Sequence, residues 1–149
     1  MDYAALAEEL LERMKNLRRA GFQRHLDDYL QGENFVLGYI ALQEGVVLPG
    51  DISQEMGVSS ARVAATLNKL EKKGLITRKI NKDDRRQVLV EITAAGSKLA
   101  LSMHESFLEH TTAFFQGLGE KDAKEYLRIT GRLADIVAEH LSQTEGRGN

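Results

Sequence analysis

The 149-residue sequence contains no cysteine, and its only proline is Pro49. Without a thiol there is no disulfide, no thiolate nucleophile, no cysteine redox sensor and no cysteine-ligated zinc. No apolar run approaches the ~18 residues that a membrane span needs, so no membrane partner is expected. A basic leader is missing too: Met1 to Glu9 carries Asp2, Glu8 and Glu9 where a signal peptide carries positive charge, and a cytoplasmic location is the expectation. Repeats and low-complexity tracts are absent. No serine or aspartate falls in a recognisable nucleophile motif, and neither a cofactor nor catalysis is expected.

A chain of this length fits a single domain, 1–149, and buries roughly 70% of its unfolded surface without a metal or a disulfide. The net charge is only −2, but its distribution is uneven. Between Arg62 and Arg86 nine bases face three acids, a net of +6; the rest of the chain holds eleven bases and nineteen acids, a net of −8. A basic island on an acidic body is the electrostatic footprint of a polyanion-binding surface.

Periodicity gives the elements. Leu6, Leu10, Met14 and Leu17 predict a helix over 3–19, a short charged stretch lies between Gly21 and Gly32, and a second helix is expected over 33–44. Pro49 suits the first turn of a short helix and Gly57 its left-handed end. Ser59 then caps a further helix running to Lys73, and Val58 and Val63 stand at hydrophobic-staple spacing across the cap. A short helix, a tight glycine turn and a second capped helix make a helix-turn-helix. Beyond Gly74 the period falls to two, and the strands at 75–80 and 88–92 flank a polar tip, Asn81 to Gln87. Thr93 caps a helix through about Phe115, carrying Leu99, Met103, Phe107, Thr111 and Phe114. Gly117 and Gly119 break it. A last helix, Glu120 to about Leu141, carries Leu127, Leu133, Ile136 and Val137, and Gln143 to Asn149 form a frayed tail.

The fold class expected is mainly α with a small β-wing: a winged helix-turn-helix at 33–93 between helical dimerisation regions at 1–32 and 94–149. The apolar stripes of the terminal helices exceed what a central module of about 60 residues covers, and a symmetric partner is the simplest cover. In the helix from Ser59 to Lys73, Val63, Leu67 and Leu70 form one apolar line. The opposite face and its flanks hold Ser59, Ser60, Ala61, Arg62, Ala65, Thr66, Asn68, Lys69 and Lys72, small enough for close approach to a major groove. Arg62 is the best candidate for a base contact; Lys69 and Lys72 suit phosphates. At the hairpin tip Lys82, Arg85 and Arg86 suit a minor groove, with Asp84 expected to pair with Arg85 or Arg86. For either element alone, a charged surface kept soluble by water explains the same residues; their combination is what points to double-stranded DNA.

The blocks Asp51 to Val63, Leu67 to Ile76, Asp84-Arg85-Arg86 and Ile92 to Gly96 resemble the MarR family of winged-helix regulators, over about residues 45–97. The resemblance implies a homodimer knitted by its first and last two helices, with the Ser59–Lys73 helix in a major groove and Arg86 in the adjoining minor groove. It implies repression at a pseudo-palindromic operator and release by a small aromatic or anionic effector. Two departures stand out: Leu48 where a Thr or Ser cap is common, and Gly38 in the second helix, which allows close packing, leaves a pocket or is compensated by Tyr39 or Phe35.

Two other readings stay open. A metal-responsive regulator would use histidines, and His25, His104, His110 and His140 fall on the terminal helices. His104 and His110 are six residues apart, roughly 120° off a common face, so solvated histidines are expected and no metal site. A winged protein-interaction module would bind no DNA. The bases Arg13, Lys15, Arg18, Arg19 and Arg24 lie outside the wing and suit an anionic effector, flanking DNA or, by default, a solvated face.

Overall fold

A computed structural model describes residues 1–145, and the side chains at 22, 23, 25 and 141–145 are not described. His25 and Leu141 therefore lie outside the described side chains, and the end of the expected tail outside the described residues. Among the described residues seven helices and one hairpin follow in order: α1 (Tyr3–Arg19), α2 (Phe22–Leu30), α3 (Gly32–Leu42), α4 (Pro49–Met56), α5 (Ser60–Lys72), β1 (Ile76–Ile80), β2 (Val88–Ile92), α6 (Ala94–Leu118) and α7 (Glu120–Glu145). The chain divides into two compact units, Met1–Phe107 and Leu108–Asn149. No described helix is long and apolar enough to cross a membrane.

The first unit holds the core. Val36, Leu37 and Ile40 of α3, Ile52 of α4, Val63, Leu67 and Leu70 of α5, Ile76 and Val90 of the hairpin, Val47 and Ala100 are buried together. The line Val63, Leu67 and Leu70 faces inward as its spacing predicts, which turns the opposite side of α5 outward.

Local chemistry sets the turns. Pro49 opens α4, and with no side-chain oxygen on Leu48, the Asp51 carboxylate accepts the Leu48 N–H at 3.4 Å. Gly57 ends α4 at φ 61°, a left-handed conformation that costs a glycine little. The Ser53 hydroxyl donates to the Val58 carbonyl at 2.6 Å and pins the turn, while Val58 and Val63 both join the core across it. The wing pairs antiparallel with Ile76 opposite Ile92 and Ile80 opposite Val88. Its root is tied by a bridge in which Val47 and Val90 exchange N–H···O bonds of 3.0 and 2.9 Å.

Four expectations need correction. The stretch after Gly21 is a helix, α2, because Leu26, Tyr29 and Leu30 fall at helical spacing. Gly117 lies within α6, and only Gly119 separates α6 from α7. Helix α7 continues to Glu145, past the expected end near Leu141. At Gly38 a Cβ would meet nothing within 4 Å, so no neighbour of the same chain packs closely there.

Gly96 is the converse case. A Cβ there would stand 2.0 Å from the Leu75 carbonyl oxygen and 2.8 Å from Ile92 Cγ1. The start of α6 thus lies directly on the turn before the wing. Thr93 locks this approach: its hydroxyl donates to the Gly74 carbonyl at 2.7 Å and accepts the Gly96 N–H at 3.0 Å.

Candidate nucleic-acid interface

Helix α5 is capped by Ser59, whose Oγ accepts the Arg62 N–H at 3.4 Å. With the apolar line buried, Ser59, Ser60, Ala61, Arg62, Ala65, Asn68, Lys69 and Lys72 are exposed and Thr66 is half-buried. The Thr66 hydroxyl donates to the Arg62 carbonyl at 3.1 Å, which leaves its oxygen to accept.

The wing tip is a closed polar turn. Asn81 and Gln87 join through a backbone bond of 2.9 Å and a side-chain bond of 3.0 Å. Asn81 Oδ1 accepts the Asp83 N–H and Asp84 Oδ1 accepts the Arg86 N–H, each at 3.0 Å. Asp84 therefore acts on the backbone, and no ion pair joins it to Arg85 or Arg86 among the described residues. The expected guanidinium pairing is replaced by an aspartate turn, a geometry its short side chain reaches without ordering a long arginine. Lys82, Arg85 and Arg86 remain exposed, as does Asp84.

The basic island is partly neutralised by the fold. Glu33 of α3 accepts from Lys73 and lies 3.8 Å from Lys69. Lys79 pairs with Glu91 across the strands at 2.8 Å. Arg78 donates to Glu71 through Nε at 3.0 Å and Nη2 at 2.5 Å, and its backbone N–H donates to the same carboxylate at 3.1 Å. Arg78 also donates to Asn68 Oδ1 at 2.7 Å. Arg62, Lys72, Lys82, Arg85 and Arg86 make no ion pair among the described residues. These five supply the uncompensated charge, carried on α5 and the wing tip. Lys69 is half-engaged with Glu33 and less free for a phosphate than its spacing implied.

The carboxylates inside this frame respond to their partners. The Lys73 ammonium bonded to Glu33 holds that carboxyl below its ordinary range, aided by Lys69. The Arg78 guanidinium does the same for Glu71.

Sequence reasoning did not single out Glu71, Arg78 or Glu33. A signal was present for Arg78, which shares the inward phase of β1 with Ile76 and therefore needs a partner. Two of the distal bases lie on an exposed helix face, where Arg13 pairs with Glu9 and Lys15 with Glu12, each one turn back along α1. Leu11, Met14, Arg18, Arg19, Arg24 and Asp28 are among the residues lining a cavity of about 950 Å³. His104 is exposed, yet its Nδ1 lies 2.7 Å from the Tyr29 hydroxyl, so it is not simply solvated. Among the described residues no group of three His, Cys, Asp or Glu could hold a metal ion.

Residues 35–87, from α3 to the wing tip, match the sequence model of the MarR family. That segment is similar to the MarR family. The HTH-type transcriptional regulator YwhA of Bacillus subtilis is 29% identical over 124 residues, 83% of this chain and 86% of that one. Among solved structures, the MarR family transcriptional regulator AbsC of Streptomyces coelicolor superposes with a TM-score of 0.72 at 18% identity, covering 96% of this chain and 97% of that one. The Staphylococcus aureus MepR–DNA complex gives a TM-score of 0.63 at 23% identity, over 93% of this chain and 98% of that one. At these identities the two structures speak to the winged-helix fold.

Proposed function

We propose that this chain is a MarR-type regulator: a homodimeric, sequence-specific transcription regulator that represses from a pseudo-palindromic operator. The observation that carries the proposal is the set of five unpaired cations, Arg62 and Lys72 on α5 and Lys82, Arg85 and Arg86 on the wing tip, in a chain of net charge −2. Helix α5 enters a major groove; Arg62 grips a base, while Ser59, Ser60, Ala65, Thr66 and Asn68 line the approach, Lys72 meets a phosphate and Lys69 does so only on leaving Glu33. The wing enters the adjoining minor groove with Arg86, supported by Lys82 and Arg85, and Asp84 holds the turn that presents them. The fold is shared with MepR, which has been crystallised on DNA.

Dimerisation is supported by apolar residues that each unit leaves uncovered. Leu6 and Leu10 of α1 are exposed in the first, and Leu127, Ile129, Leu133 and Val137 of α7 in the second. A symmetric partner covers both. An effector is supported by the open groove beside α1, where Leu11 and Met14 lie among Lys15, Arg18, Arg19 and Arg24 with Asp27 and Asp28, four cations to two carboxylates that suit a small aromatic or anionic molecule.

The test is duplex binding from genomic fragments, titrated with salt and with phenolic acids. Affinity should fall steeply and log-linearly as salt rises, and an effector should release the duplex. Binding that ignores salt would leave the protein-interaction reading in place, and zinc-dependent operator affinity would favour the metal-responsive one.

A further inference from the structure

We propose that Arg78 turns Asn68 into a donor-only reader, so that α5 selects guanine or thymine against adenine at the base pair facing Asn68. This deepens the DNA-reading proposal and rests on it. Asn68 is exposed on α5, three residues beyond Ala65, on the face opposite the buried line. Its Oδ1 accepts from Arg78 Nη2 at 2.7 Å. A guanidinium has donors and no acceptor, so only the amide oxygen is compatible with that contact, and the amide is fixed in one orientation. Arg78 in turn cannot swing away freely, because Glu71 accepts from its Nε at 3.0 Å, its Nη2 at 2.5 Å and its backbone N–H at 3.1 Å.

What Asn68 keeps is Nδ2, which has no hydrogen-bond partner among the described residues. An asparagine normally reads adenine with both ends, accepting from N6 and donating to N7. Here one lone pair of Oδ1 is taken by a cation, and an adenine amino group seeking the other approaches N–H groups of its own polarity. Guanine O6 and N7, and thymine O4, are acceptors that suit Nδ2, whereas adenine offers it N7 alone and brings an N6 donor with no free acceptor opposite. Arg78 is thus a positioning residue, acting on the base through Asn68.

The experiment is selection of bound duplexes from a random pool, followed by binding titrations of the best duplex carrying each of the four base pairs at the position that responds to Asn68. Guanine or thymine should exceed adenine by roughly tenfold in the wild type. Asn68→Asp, which still accepts from Arg78 but brings no donor, should abolish that preference, and Arg78→Met should raise adenine relative to guanine. If Arg78→Met fails to melt cooperatively, Asn68→Asp decides alone. Wild-type preference for adenine at that pair, or a preference profile unchanged by Asn68→Asp, overturns the inference while leaving DNA binding intact. A wild-type chain that binds no duplex removes the DNA-reading proposal, and this inference with it.

Discussion

Gly96 shows how one residue holds the wing in place. The Leu75 oxygen stands 2.0 Å from where a Cβ would be, and that oxygen is backbone with no rotamer to yield. Gly96→Ala should therefore destabilise by at least about 2 kcal/mol, read as a lower denaturant midpoint in urea, because the start of α6 must lift from the turn that carries β1. Gly38→Ala has open space by the same criterion and a helical gain of roughly 1 kcal/mol; it should be neutral or stabilising in thermal melts. At the DNA surface the two arginines should separate by kind. Arg62→Ala should cost roughly 1–3 kcal/mol and relax preference at one base pair, whereas Arg86→Ala should weaken all duplexes and lower the salt slope by about one. Fluorescence anisotropy across a salt series distinguishes the two.

Among the elements, two carboxylates couple the interface to the body. Glu33 ties α3 to α5 through Lys73, and Glu71 ties α5 to β1 through Arg78. Both carboxyls are held below the ordinary glutamate range by the cation that bonds them. Folding favours their ionised forms, so this contribution is complete above the unfolded value of about 4.3 and is lost as pH falls through the lower folded values. Acid titration of the melting temperature should show stability falling below about pH 4, and Glu71→Gln should flatten that fall. Much at this scale was legible in the residues: the proline, left-handed glycine and serine cap around the turn, and the buried line on α5, are local signals that tertiary contacts do not override. Helix α2 was not, since its charges mask a short apolar spacing. The Arg78–Glu71–Asn68 cluster and the Val47–Val90 bridge were not either, because pairings across strands and between elements leave little trace in local periodicity. The charge count of the basic island misled in one respect: Glu33 and Glu91 come from outside that segment and are brought back to it by the fold.

For the whole molecule, the proposal predicts a dimer whose loss unfolds or solubilises nothing else. Leu133→Glu and Leu10→Glu, at exposed positions of α7 and α1, should leave the core residues of the first unit buried yet lower the sedimentation mass toward one chain, and operator affinity with it. A dimer of winged chains should protect half-sites about one helical turn apart. The most direct measurement on the central claim is methylation interference on the selected operator, since dimethyl sulfate marks guanine N7 in the major groove and adenine N3 in the minor groove. Straddling of adjacent grooves predicts interference at both kinds of site, the guanine signals fading in Arg62→Ala and the neighbouring adenine signals fading in Arg86→Ala. Interference confined to one groove, or a pattern that neither substitution alters, would contradict it.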